Sequence, residues 1–223
     1  VLWGISLFLK PYALIFLPYF ILKKRIKFVV TGAVVLIVGL TLPVLAFGFK
    51  GNLLVLKEWA FTLSRSTPGQ VAAGDTASLY AFLWKVLPGH PDFWTMFLWL
   101  VIGSAAGVVF LWMMGEGRKR DLNMPEILEA GFLMILIPFF SPLGWNYNYL
   151  YSVLAVVLIL NYWPKFPRAW KYILAVDLIL IGATLQEVLG RTLFRFYTYN
   201  SLVVINFLIV LSGLAYIRAK KLA

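Results

Sequence analysis

The residues best suited to hold a polar substrate form one short stretch between two long apolar runs. Residues 141–149 read Ser-Pro-Leu-Gly-Trp-Asn-Tyr-Asn-Tyr. Proline and glycine interrupt a helix, and tryptophan and tyrosine prefer the membrane–water boundary. The two asparagines add hydrogen-bond donors and acceptors that a plain turn does not need. From sequence alone the stretch is either a tight turn with interfacial aromatic residues or a rim that faces a polar substrate.

A second set of residues could bind an anion. Lys85, Arg191 and Arg195 lie outside the longest apolar runs, and a guanidinium group binds phosphate in a fork geometry. The alternative is nonspecific contact with lipid headgroups. Lys10, followed by Pro11, interrupts an apolar run, so it either faces a cavity or extends its ammonium group to the interface.

Other kinds of chemistry have little support in the sequence. The chain has no Cys and one His, which excludes disulfides and thiolate chemistry and argues against a zinc or iron site. We therefore expect no metal and no cofactor. The motifs of P-loop enzymes, serine hydrolases and zinc peptidases are absent. The net charge of +11 comes from short clusters between apolar runs, so we expect no nucleic-acid binding.

The elements that must position these residues are membrane helices. The chain of 223 residues is 62% hydrophobic and 13% charged, with a mean hydropathy of +0.88. Since a span needs roughly 20 apolar residues, the pattern predicts an all-α, multi-pass bundle of about seven transmembrane helices in a single domain, residues 1–223. The predicted spans cover residues 2–22, 28–47, 94–114, 127–140, 149–163, 172–189 and 202–217.

Basic clusters follow alternate spans and predict the orientation. They lie at residues 23–27, 118–120, 165–171 and 218–221, and the positive-inside rule places all four in the cytoplasm. Residues 48–93, 141–148 and the turn 190–200 are then extracytoplasmic. Within 48–93 we predict an interfacial amphipathic helix, then a short helix over 77–87 that Asp75 or Thr76 caps. Asp177 is expected to pair with a basic loop, and Glu187 with Arg191.

Three motifs in this order resemble the C-type integral membrane glycosyltransferases, in the family-87 group of polyprenyl-phosphate-mannose-dependent α-mannosyltransferases. Leu9-Lys10-Pro11 with the following basic hinge resembles the Lys-Pro helix of that group. Residues 78–85 resemble its Asn-Gln-Ser-Leu segment, and residues 141–145 its Ser-Pro-x-Ser-Trp box. The departures are Thr76-Ala77 for Asn-Gln, Lys85 for Arg, Gly144 for the second Ser, and Asn-Tyr-Asn for the His residues after Trp145.

The resemblance implies an enzyme that moves a hexose, expected to be mannose, from a polyprenyl-phosphate sugar to a lipid or glycan acceptor. It implies a bacterial or archaeal plasma membrane, with the active side outside and membrane lipids as neighbours. The expected donor-phosphate residues are Lys85, Arg191, Arg195 and Lys10. The expected substrate-binding residues are Ser78, Ser141, Trp145, Asn146, Tyr147 and Asn148.

The catalytic carboxylate of this group lies in the first outer loop, upstream of Val1. We therefore expect the sequence to be the C-terminal part of a longer glycosyltransferase, and its catalytic residue is unknown. Two other classes stay open, a multi-pass transporter or flippase and a non-catalytic membrane subunit. A transporter predicts intramembrane charges and paired broken helices.

Overall fold

The computed structural model describes residues 2–9, 11–71, 73–89, 92–119, 125–141 and 143–222. The chain is 86% helix, and no strand occurs in the described residues, so the predicted all-α class is confirmed. The chain divides into two compact units, Val1–Gly69 and Gln70–Ala223.

Among the described residues, four helices lie wholly or mostly in the first unit, and small residues let two of them pack closely. They are α1 (Leu2–Leu9), α2 (Phe16–Leu22), α3 (Ile26–Thr41) and α4 (Val44–Val71), with a 3₁₀ turn at Pro11–Ile15. Gly32 of α3 lies under the ring of Trp3, where an added Cβ would come within 2.0 Å of a ring carbon. The predicted span 2–22 is thus two helices joined by a turn, and Lys10 lies outside the described residues.

A sharp bend separates α3 from α4. The two helices meet at 91° across Leu42-Pro43, where proline removes the backbone donor that would continue α3. The Asn52 side-chain amide, buried on α4, donates to the Leu40 carbonyl of α3 at 2.9 Å and ties the two arms together. The helix predicted after residue 48 is confirmed as most of α4, which is kinked at Gly48 (φ 67°).

The second unit is built around two central helices, α7 (Pro125–Phe140) and α11 (Val203–Ala219). The helices α6 (Asp92–Lys119) and α8 (Val153–Asn161) pack against both, while α5 (Leu79–Val86) packs on α6 and α7 and α9 (Arg168–Ala183) packs on α11. Most residues of α7 are buried, as are Val204, Phe207, Val210 and Leu214 of α11. In α6, by contrast, apolar side chains such as Val108 and Leu111 are exposed.

Three helix ends and the start of α9 meet at one end of this unit, which we call the basic end (residues 117–118, 125, 165–171 and 216–221). The Arg218 guanidinium on α11 donates to the Pro125 carbonyl at 2.9 Å, and a Cβ on Gly117 would lie 2.9 Å from the same guanidinium. Phe166 stacks on Tyr216 with ring centroids 5.2 Å apart. Three of the four basic clusters therefore share one end of the second unit.

The number of spans differs from the prediction. Asp92–Arg118 is the one described helix that is long and apolar enough to cross a membrane, and up to three spans result if each bent helix pair counts as one. The predicted span 149–163 is a 3₁₀ helix, Asn146–Ser152, followed by the nine-residue α8. The predicted span 172–189 ends at Ala183, and the predicted turn 190–200 is instead part of α10 (Gln186–Tyr199), bent by 98° from α9. Seven spans are therefore not confirmed.

Candidate functional site

The turn after α7 pairs with the strand-like segment before α5. Thr76 and Trp145 form an isolated antiparallel bridge, and the Ala77 amide donates to the Gly144 carbonyl. Gly144 has no room for a side chain, because an added Cβ would lie 2.2 Å from the Pro138 carbonyl oxygen and 3.0 Å from the Cα of Ser78. Two of the segments singled out in the sequence, 78–85 and 141–149, therefore lie in direct contact.

Tyr149 anchors this junction to the core. Its hydroxyl donates to the Ala77 carbonyl at 2.8 Å, and its ring stacks on Phe207 of α11 with centroids 4.4 Å apart. A buried tyrosine hydroxyl needs an acceptor, and the pairing supplies one. The aromatic turn is consequently fixed from both sides.

Lys85 joins the same junction to the chain that follows α10. Its ammonium group donates to the carbonyls of Ala73 and Thr76, each at 2.8 Å, and to the hydroxyl of Ser201 at 3.0 Å. The Ser201 hydroxyl in turn donates to the Thr76 carbonyl at 2.7 Å. We call this arrangement the lysine clamp (Ala73, Thr76, Lys85 and Ser201). An ammonium group has three protons, and here all three are directed at protein acceptors.

The clamp and the aromatic turn together form the polar end of the second unit (residues 73–85, 143–149 and 197–201). It lies opposite the basic end, because α7 starts at one end and finishes at the other, and α11 runs back. Burial lowers the pKa of Lys85 to about 8, against a smaller opposing effect of Asp75. A half-buried ammonium group is stabilised less than one in water, so the three acceptors compensate only in part.

The low pKa of Lys85 predicts a specific pH dependence of stability. Unfolded lysine keeps its proton to about pH 10.4, so between about pH 8 and pH 10.4 the folded protein releases a proton that the unfolded chain retains. The contribution of Lys85 to the free energy of unfolding therefore rises with pH across this window. Thermal unfolding of the wild type and of Lys85→Arg, which stays protonated, should diverge in favour of the wild type between pH 8 and 10. Parallel curves would mean that Lys85 titrates normally.

The predicted substrate-binding residues separate into two groups by exposure. Ser78, Ser141 and Asn148 are buried, and the Ser78 hydroxyl accepts the Ala81 amide at 3.1 Å as the N-cap of α5. Ser78, not Asp75 or Thr76, therefore caps this helix. Trp145 and Asn146 are partly exposed, and Tyr147 is 56% exposed. A molecule at the polar end would meet Trp145, Asn146 and Tyr147 first.

The helix α10 carries the two remaining predicted cations. Arg191 and Arg195 are exposed and lie four residues apart after the kink at Gly190 (φ 70°), so they share one face of the helix. Leu193, Phe196 and Tyr199 of the same helix are also exposed. An exposed helix with both arginines and large apolar side chains, nearly perpendicular to α9, is typical of a segment that lies in a membrane interface.

Beneath α10 lies a buried polar cluster that the sequence did not reveal. Asp177 of α9 accepts the Asn206 side-chain amide of α11 at 2.7 Å, and the Tyr197 hydroxyl of α10 donates to the Asn206 carbonyl oxygen. The expectation that Asp177 pairs with a basic loop is therefore wrong. Because its residues lie on three different helices, their spacing in the sequence gives no local signal for the cluster. The only sign of it in the sequence is a single carboxylate inside an apolar run.

Comparison with known protein families, with curated proteins and with solved structures finds no match to this chain. Among the described residues, no three His, Cys, Asp or Glu side chains come together in a group that could hold a metal ion.

Proposed function

We propose that the chain is the membrane domain of a multi-pass C-type glycosyltransferase. It transfers a hexose, expected to be mannose, from a polyprenyl-phosphate sugar to a lipid or glycan acceptor on the extracytoplasmic side. In this proposal the predicted spans cross the bilayer, some of them as short or bent helices, and the polar end lies at the outer interface. The basic end lies in the cytoplasm, as the positive-inside rule requires.

One observation carries the proposal: motifs far apart in the sequence meet at a single end of the second unit. Residues 78–85 and 141–145 are the second and third motifs of the resemblance, and they are joined through the Thr76–Trp145 bridge. The lysine clamp adds the segment that ends α10. A turn with interfacial aromatic residues alone would not need these long-range ties.

The chemistry assigned to this end follows from the nature of a polyprenyl-phosphate donor. The acceptor hydroxyl attacks the anomeric carbon, the bond from that carbon to the phosphate oxygen breaks, and polyprenyl phosphate leaves with the electron pair. The catalytic carboxylate that the resemblance implies takes the hydroxyl proton. Arg191 and Arg195 stabilise the charge on the leaving phosphate, while Trp145 and Tyr147 stack on the sugar or on isoprene units.

Lys85 is left out of these phosphate contacts. Its three protons are directed at Ala73, Thr76 and Ser201, and a phosphate would have to displace at least one of those acceptors. Its role in the proposal is to hold the aromatic turn and the end of α10 together. Lys10 stays a predicted phosphate ligand.

The orientation predicts which single cysteines a membrane-impermeant thiol reagent reaches. The chain has no native cysteine, so Thr192→Cys on α10 and Lys165→Cys at the basic end are reporters without background, and both positions are exposed. In intact cells Thr192→Cys should react and Lys165→Cys should react only after the membrane is opened. Labelling of Lys165→Cys in intact cells would show that the orientation is opposite to the one proposed.

The activity itself is tested by sugar transfer. The protein encoded by the complete gene is purified and given a radiolabelled polyprenyl-phosphate mannose together with the lipid extract of its host. The proposal predicts label in a new lipid or glycan product and release of polyprenyl phosphate. If labelled donor stays intact with this and other polyprenyl-phosphate hexoses, the chain is a transporter or a non-catalytic subunit.

A further inference from the structure

The buried cluster beneath α10 contains a negative charge that the described protein does not balance. Asp177 is 2% exposed, and its carboxylate is contacted through one oxygen by the neutral amide of Asn206. Its other oxygen, Oδ2, is buried without a hydrogen-bond partner. Among the described residues no Lys or Arg side chain pairs with Asp177. A lone carboxylate in such a place is costly unless something positive joins it.

Two further polar side chains, those of Asn206 and Tyr197, join Asp177 in this cluster. The Asn206 carbonyl oxygen accepts from the Tyr197 hydroxyl. Thr184 lies at the break between α9 and α10, where its hydroxyl donates to the Leu180 carbonyl and the Leu185 amide donates to the Ala183 carbonyl. In membrane proteins, discontinuous helices form sites for coupling ions such as Na⁺ beside the break.

We infer that Asp177, Asn206 and Tyr197, close in sequence to the break between α9 and α10, form a binding site for a monovalent cation of the size of Na⁺. One carboxylate balances one positive charge, and the neutral amide oxygen of Asn206 and hydroxyl oxygen of Tyr197 add hard-oxygen ligands. A divalent ion usually binds several carboxylates. The described residues contain no group of three His, Cys, Asp or Glu side chains that could hold a metal ion. The site goes beyond sugar transfer and does not depend on it.

The role of the bound cation is to fix α10 over the bundle. The cluster joins residues from α9, α10 and α11, so an ion bound there would hold the bend of 98° between α9 and α10. Without the ion, the unbalanced carboxylate favours opening of the cluster to water. Sodium should therefore stabilise the folded protein by binding to it in preference to the unfolded chain.

Thermal unfolding of the purified protein in detergent measures this directly. NaCl is titrated against choline chloride at constant ionic strength, so that nonspecific screening stays the same. Sodium at about 100 times its dissociation constant should raise the midpoint by about 5 to 10 °C, saturably. Asp177→Asn should abolish the response, and Asp75→Asn, which neutralises an exposed carboxylate, should keep it.

A second variant keeps the test decisive if Asp177→Asn does not fold. Tyr197→Phe removes one oxygen without touching the charge, so it should shift the sodium titration to higher concentration with a similar plateau. A wild-type midpoint that is the same in sodium and choline would overturn the site, because Asp177 would then be neutralised by a proton. An equal sodium response in Asp177→Asn would overturn it as well. Neither outcome bears on sugar transfer, since no donor is present.

Discussion

Replacing Arg191 and Arg195 together with glutamine should lower turnover at saturating donor by on the order of 100-fold. Each arginine is proposed to make a charge-assisted contact with the leaving phosphate, and each such contact is worth roughly 1.5–3 kcal/mol, or about tenfold or more in rate. Both side chains are exposed on α10, so their loss should leave the thermal midpoint almost unchanged. The measurement is the initial rate of sugar transfer at saturating polyprenyl-phosphate donor.

Arg65→Gln provides the matched control. Arg65 is also an exposed arginine on an amphipathic helix, α4, where its guanidinium lies 4.2 Å from the ring centroid of Phe61. If the α10 arginines only contact lipid headgroups, all three substitutions should behave alike, with weaker membrane retention and normal turnover. Lysine at 191 and 195 should restore part of the rate, because charge without the fork geometry binds phosphate less well. If the double glutamine variant turns over at the wild-type rate, α10 is not part of the donor site.

Replacing Gly144 with serine, the residue of the box that this segment resembles, should damage the protein. The resemblance would suggest Gly144→Ser as a return to the usual box, but an added Cβ would lie 2.2 Å from the Pro138 carbonyl oxygen and 3.0 Å from the Cα of Ser78. Both neighbours are backbone atoms and cannot rotate away. Overpacking typically costs about 1–3 kcal/mol, and this position should lie at or above the upper end of that range. The thermal midpoint should fall by roughly 6 °C or more.

Gly144→Ala and Gly107→Ala separate this steric effect from loss of glycine as such. Alanine at 144 should be about as harmful as serine, because the first added atom already collides. Gly107 lies within α6 with nothing within 4 Å of an added Cβ, so alanine there should be neutral or slightly stabilising. A Gly144→Ser variant that melts with the wild type would show that the junction between residues 76–78 and 144–145 is not packed as described.

The sequence predicted a helix correctly where a run of apolar residues was bounded by residues that break helices. The α6 helix follows from its uninterrupted apolar run, and the amphipathic part of α4 follows from apolar residues at helical spacing. The sequence did not predict the bend between α9 and α10, because neither of the two residues at the bend, Thr184 and Leu185, is proline or glycine. Leu185 nonetheless adopts an extended conformation (φ −123°, ψ 144°), directly before the polar pair Gln186-Glu187 that begins α10.

The candidate site was predictable only in part. Trp145, Tyr147 and the arginines of α10 stand out by residue type, and their exposure agrees with a role at a surface. The role of Lys85 could not be read from sequence, because two of its three partners are backbone carbonyls and the third, Ser201, is 116 residues away. The partner of Asp177 on a distant helix was hidden for the same reason. The local sequence pattern shows which residue is unusual, but the tertiary packing determines which residues it contacts.

Photoaffinity mapping of the donor tests the central claim most directly. A polyprenyl-phosphate mannose with a diazirine in the isoprene unit next to the phosphate is irradiated with the purified protein, and the labelled peptides are identified by mass spectrometry. We expect label within residues 186–201 and 143–152, displaced by unlabelled donor and reduced by the double Arg→Gln substitution on α10. Label within residues 165–171 or 216–221, at the basic end, would contradict the account, and so would label that unlabelled donor does not displace.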